Sequence, residues 1–122
     1  MTPPSPLAIN TQVVKRLLKE ESSYHKELAG QQVRVKKLED EFQAQNPDLD
    51  QNAEFLLKQE RAALDETKAV FGPLRQRIAS AVQKLEEQMA ISESDGGAAA
   101  GELKEAKEAL EEGQRAVASE HD

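Results

Sequence analysis

A seven-residue repeat of mostly apolar side chains near the amino terminus constrains the fold of this chain more than any other feature. Its nine positions form two offset series, Val14, Glu21, Leu28, Val35 and Phe42, and Leu17, Tyr24, Gln31 and Leu38. Positions spaced in this way are the a and d positions of a helix that buries one narrow stripe against other helices. We therefore expect a helix over about residues 11–43.

A second repeat of the same period follows. Its positions are Leu57, Leu64, Phe71, Ile78 and Leu85, with Leu74 and Ala81 at the companion position. Pro47 separates the two repeats, because the residue before a proline avoids helical backbone angles. The pair Gly72-Pro73 falls inside the second repeat, yet the phase of the repeat is unchanged across it. We expect one helix over about 51–91, kinked near Gly72-Pro73, and a true break into two helices is the alternative.

The carboxyl-terminal part of the chain predicts a short third helix. Residues 92–101 are rich in Gly, Ser and Ala without apolar periodicity, which is typical of a flexible linker. After it, Leu103, Leu110 and Val117 are seven residues apart, with Ala106 and Gly113 between them. We expect a helix over about 102–118 with small residues on its seam, which allow close approach to a neighbouring helix. It must pack on the other two, since a helix this short is marginal alone in water.

These segments predict an all-α fold, an elongated antiparallel three-helix bundle with coiled-coil-like heptad packing, formed by residues 1–122 as a single domain. The composition agrees with this prediction. Charged residues make up 32% of the chain and aromatic residues only 3%, which limits the core to narrow helical seams.

Charge and composition exclude several classes of function. The net charge is −7, and residues 92–122 carry three basic and nine acidic side chains, which argues against nucleic-acid binding. No apolar run approaches the length of a membrane span, and the first residues do not resemble a signal peptide. There is no cysteine, which removes disulfides and thiol catalysis. We expect a cytoplasmic protein that binds neither nucleic acid nor membrane.

The sequence contains no pattern typical of a catalytic, cofactor or metal site. Its two histidines, His25 and His121, do not form a helical metal-binding pair. The glycine-rich phosphate-binding and nucleophile motifs are absent from the sequence. We therefore expect no enzymatic activity, no cofactor and no metal.

The first helix carries a long motif that resembles the tubulin-binding cofactor A family. Residues 13–28 read VVKRLLKEESSYHKEL, which is similar to the family pattern V-V-K-R-L-x-K-E-x-x-x-Y-x-K-E. Residues 58–59 and 64–68 resemble the family's second helix, and residues 102–107 its third, so the similarity spans about residues 9–111. The chain departs from the family at Gly72, where the family usually has a proline, and at Leu103, where an aromatic residue is common.

The resemblance implies a chaperone that captures β-tubulin folding intermediates after their release from the cytosolic chaperonin and stabilises them without nucleotide hydrolysis. It also implies other tubulin-folding cofactors as partners and a cytoplasmic, cytoskeleton-associated location. A generic coiled-coil adaptor or oligomerisation module is the alternative that the heptads alone allow. Because such seams serve dimers as well as monomeric bundles, a homodimer is possible.

Basic side chains of the first helix are the first candidates for contact with the client. Lys15, Arg16 and Lys19 fall at positions b, c and f, which predicts an outward basic patch on an otherwise acidic protein. The single tyrosine lies on the seam, which favours a packed aromatic ring with its hydroxyl at the edge of the bundle. With the family motifs, the candidate β-tubulin-binding residues are Lys15, Arg16, Lys19, Glu20, Tyr24, Lys26, Lys58, Gln59 and Lys104.

Overall fold

Three α-helices form the protein in a computed structural model that describes residues 3–44 and 52–119. They are α1 (Pro6–Gln43), α2 (Ala53–Asp95) and α3 (Ala100–Ala118). Of the described residues 91% are helical, none is in a β-strand, and the helices pack against each other. The predicted all-α three-helix fold is confirmed. Pro47, which was expected to separate the first two helices, lies outside the described residues.

Helix α1 begins at Pro6, earlier than the expected start near residue 11. The Ser5 side-chain oxygen accepts a hydrogen bond from the Ala8 backbone N–H at 3.1 Å, so Ser5 caps the helix and Pro6 takes the first helical position. Leu7, seven residues before Val14, is 1% exposed and adds one position to the heptad series. Ser5-Pro6 is a sequence signal for a helix start at this position. The expected start near residue 11 was based on the heptad repeat alone, which does not contain this signal.

Helix α2 continues through Pro73 and ends at Asp95, so the alternative of a break into two helices is wrong. The helix also extends into the segment expected to be a flexible linker. It stops at Gly96, whose positive φ of 68° is the left-handed conformation typical of the residue after a helix. The Gly96 N–H donates to the Ser92 carbonyl at 3.1 Å, which closes the last turn. The linker is therefore residues 96–99 and not 92–101.

The described residues form two compact units. The first unit comprises Met1–Glu21 and Gly72–Asp122, and the second comprises Ser22–Phe71. All three helices contribute to the first unit, in which Leu7 and Val14 of α1 meet Ala81 and Leu85 of α2 in a buried core. Ala106 and Ala109 of α3 complete this cluster.

The buried face of α3 consists of small residues: Ala106, Ala109 and Gly113. The sequence analysis placed Ala106 and Gly113 on the seam, and both are buried. The larger seam residues Leu103, Leu110 and Val117 are only half-buried and flank them. Close approach explains the difference, because a Cβ at Gly113 would lie 2.6 Å from Cγ2 of Val82 in α2 and 3.3 Å from Cγ1 of Val14 in α1. Larger side chains do not fit between helices this close.

The second unit is a pair of antiparallel helical segments. Its interior holds Gln31 and Val35 of α1 with Leu57, Thr67 and Phe71 of α2. Two ion pairs cross between the helices, Arg34–Glu60 at 3.4 Å and Arg61–Glu39 at 2.6 Å. The heptad series weakens toward its end, because Phe42 is 41% exposed although it occupies a predicted seam position.

Candidate binding surfaces

The three cations of the basic patch predicted on α1 have different surroundings in the first unit. Lys15 was expected to point outward, and its ammonium group pairs at the surface with the Glu105 carboxylate of α3 at 3.3 Å. Its side chain is 36% exposed. Arg16 and Lys19 are exposed, and Lys19 makes a polar contact of its own. The heptad pattern of α1 does not predict on which side of its seam α3 packs. In the structure, α3 lies on the side that carries Lys15.

Glu20 is bound by a cation from α2. Its carboxylate lies 3.8 Å from a guanidinium nitrogen of Arg77, which makes it a bridge between α1 and α2 in the first unit. Lys104, on α3, is exposed beside Glu105, the partner of Lys15. The first unit thus contains five of the nine predicted residues: Lys15, Arg16, Lys19, Glu20 and Lys104. Among them, Lys15 and Glu20 form the ion pairs between helices described here.

Tyr24 and His25 meet Phe71 of α2 in the second unit. The Tyr24 and Phe71 ring centroids are 6.4 Å apart in an edge-on arrangement, and the His25 ring stacks on Phe71 at 4.6 Å. Tyr24 is half-buried and His25 is exposed. Phe71 of α2 thus packs against two rings of α1, and these contacts hold the two helical segments together. Lys26 is exposed on the same helix.

Lys58 and Gln59 are exposed near the start of α2. Lys58 lines a depression of about 450 Å³ together with Phe42 and Leu57, next to the Arg61–Glu39 ion pair. The second unit therefore holds the other four predicted residues, Tyr24, Lys26, Lys58 and Gln59.

A groove that the sequence analysis did not identify lies between α1 and α2 in the first unit. It has a volume of about 680 Å³, and its apolar lining includes Val13, Leu17 and Ala81. The cations Arg77 and Lys84 also line it. These two cations are seven residues apart and so share one flank of the α2 seam, which is the signal in the sequence that could have identified them.

A smaller depression of about 370 Å³ adjoins this groove along α1. It is lined by Ile9, Val13 and Arg16, among others, and Val13 belongs to both depressions. Ile9 is 49% exposed. Together the two form a surface that we call the α1–α2 groove, defined by Ile9, Val13, Leu17, Arg16, Arg77 and Lys84.

The described residues contain no arrangement suited to hold a metal ion. No group of three or more His, Cys, Asp or Glu side chains within residues 3–44 and 52–119 is placed to hold a metal ion. Within the same ranges, no helix has the length and apolar character needed to cross a membrane. What the surfaces present is apolar side chains, ion pairs and exposed cations.

Comparison with known proteins relates the chain to a protein family. Searches against curated proteins and against solved structures give no match. The family model described as tubulin binding cofactor A matches residues 2–110, which include α1, α2 and the first half of α3. The resemblance seen in the sequence is thereby confirmed. The chain belongs to the tubulin binding cofactor A family, whose members are binding cofactors and not a known family of enzymes.

Proposed function

We propose that the protein captures β-tubulin folding intermediates after their release from the cytosolic chaperonin and stabilises them by binding, without nucleotide hydrolysis. The observation that carries this proposal is the family match, which spans nearly the whole chain. It implies a tubulin-binding role, and the step to β-tubulin intermediates is our own. The proposal places the protein in the cytoplasm, associated with the cytoskeleton, with other tubulin-folding cofactors as further partners.

A protein of this kind would protect its client by mass action. A protein that binds an unassembled subunit lowers the free concentration of that subunit, and aggregation slows accordingly. This requires binding surfaces only. The surfaces described above supply apolar side chains for partly exposed hydrophobic parts of a client and cations for acidic ones.

The candidate contact residues are those predicted from the sequence, modified by the ion pairs of the structure. Arg16, Lys26, Lys58, Gln59 and Lys104 are exposed and available to a partner. Lys15 and Glu20 are in ion pairs with Glu105 and Arg77, so we assign them first to holding the helices together. Lys19 and Tyr24, each with contacts inside the protein, remain candidates at the edge of the surface.

A retention experiment tests the proposal. The immobilised protein is mixed with β-tubulin newly released from chaperonin, once with and once without ATP and GTP. We expect retention of β-tubulin that nucleotide does not change, and no retention of an unrelated chaperonin substrate such as actin. Loss of β-tubulin in the wash would contradict the proposal and would favour the coiled-coil adaptor. Sedimentation at several concentrations determines whether the protein is a homodimer.

A further inference from the structure

We propose that the α1–α2 groove of the first unit docks an acidic amphipathic helix of the tubulin client. This inference rests on the proposed function and adds to it the surface and the chemistry of the contact. It concerns residues of α2 that the family motif on α1 did not indicate.

The charge of the groove is the first argument. Its two depressions are lined by three cations, Arg16, Arg77 and Lys84, and by no carboxylate among the described residues. The chain as a whole has a net charge of −7, so this local excess of positive charge runs against its composition. Arg77 shares its charge with Glu20 at 3.8 Å, whereas Arg16 and Lys84 are exposed. Charge complementarity therefore calls for carboxylates on the occupant.

The apolar floor is the second argument. Ile9, Val13 and Leu17 follow one another at intervals of four residues, so they form a continuous strip along α1. Val13 and Leu17 pack against the core only in part, and Ile9 is 49% exposed. The strip is about 12 Å long at 1.5 Å per residue, which corresponds to roughly two turns of an incoming helix.

Backbone hydrogen bonding decides between a helix and an extended segment. The walls of the groove are α-helices, whose N–H and C=O groups are already paired within each helix. An extended peptide pressed into the groove would lose hydration of its own backbone without gaining new partners. A helix carries its backbone hydrogen bonds with it and presents only side chains, which is the helix-in-groove mode of recognition.

Charge reversal tests the groove directly. In the double variant Arg16→Glu with Lys84→Glu, both changes are at exposed positions, so helical content and melting temperature should stay close to those of the wild type. The matched control is Lys37→Glu with Lys107→Glu, which alters the net charge equally at exposed positions that do not line the groove. The probe is β-tubulin released from chaperonin, and the readout is its dissociation constant at low and high salt.

We expect the groove variant to raise the dissociation constant about tenfold at low salt and less at high salt, because salt screens exposed charges. The control variant should change it at most about twofold. If both variants raised the dissociation constant equally, the proposal that β-tubulin binds in the groove would be overturned, since the change in net charge alone would then explain both results. If the wild-type protein itself retained no β-tubulin, the proposed function would fail as well, and the two failures are thus distinguishable.

A crosslinking experiment identifies the occupant. The chain contains no cysteine, so Ser80→Cys places a single thiol on the rim of the groove for a photoreactive label. Glu93→Cys, at an exposed position of α2 that does not line the groove, is the control. We expect Ser80→Cys to crosslink to a helical, carboxylate-rich segment of β-tubulin, and Glu93→Cys to give little product. Crosslinks to a second copy of the chain, or to a β-strand or loop of β-tubulin, would overturn the proposal.

Discussion

Replacing Gly113 by alanine tests the close packing of α3 on the first unit. The new Cβ would lie 2.6 Å from Cγ2 of Val82, at least 0.8 Å closer than an ordinary contact of 3.4 Å, and 3.3 Å from Cγ1 of Val14. Both valines are buried, so neither can move away freely. Overpacking of this kind costs about 1–3 kcal/mol. The higher helix propensity of Ala relative to Gly stabilises the helix by up to about 1 kcal/mol, which offsets part of this cost.

The net expectation for Gly113→Ala is therefore a loss of about 1 kcal/mol of unfolding free energy, or about 4 °C in melting temperature. Gly30→Ala is the matched control, because its Cβ would meet only the end of the flexible Arg34 side chain, at 3.5 Å. It should raise the melting temperature, since the propensity gain of up to about 1 kcal/mol is not opposed by a clash.

Thermal melts followed by circular dichroism measure both variants, and a double variant identifies the cause. In the background of Val82→Ala, which removes the obstructing methyl groups, Gly113→Ala should cost less than in the wild type. A Gly113→Ala protein that melts at or above the wild-type temperature would refute the reasoning, because α3 could then not lie as close to Val82 as described.

Two further stability predictions follow from polar side chains. Ser5→Ala removes the cap of α1 and a hydrogen bond from the Ser5 hydroxyl to the Glu102 carboxylate. Urea titration should show an unfolding free energy lower by about 0.5–2 kcal/mol. An unchanged midpoint would contradict the capping role. Gln31→Leu replaces a residue that is 5% exposed and whose side-chain carbonyl oxygen has no hydrogen-bond partner among the described residues. The same titration should therefore show an unchanged or higher unfolding free energy. A loss of more than about 1 kcal/mol would contradict this prediction.

Helical periodicity predicted the three helices and much of their buried faces, because a period of seven follows directly from helix geometry. Val14, Ile78 and Leu85 are buried where the repeat places them. The ends of helices depend on other signals. The Ser5-Pro6 cap and Gly96 are both readable in the sequence, and both fix boundaries that the apolar pattern did not give.

Contacts between helices were harder to predict. A heptad assigns Lys15 to one flank of α1 but does not tell that α3 lies there, so the pairing with Glu105 could not be derived from one helix. The sequence placed Ala106 and Gly113 on the seam of α3, but the partial exposure of the neighbouring Leu110 depends on how closely the helices approach. The α1–α2 groove requires the packing of two helices before it exists at all. A consequence for mutagenesis is that Lys15→Glu would place two carboxylates together, so Arg16 is the better position for charge reversal.

Sedimentation velocity of the purified protein with chaperonin-released β-tubulin tests the central claim most directly. The account predicts that β-tubulin sediments with the protein as a small soluble complex, with or without nucleotide, and that less of it aggregates as the concentration of the protein rises. If β-tubulin aggregates to the same extent at every concentration and no complex forms at low salt, the protein does not capture β-tubulin, and the account is contradicted.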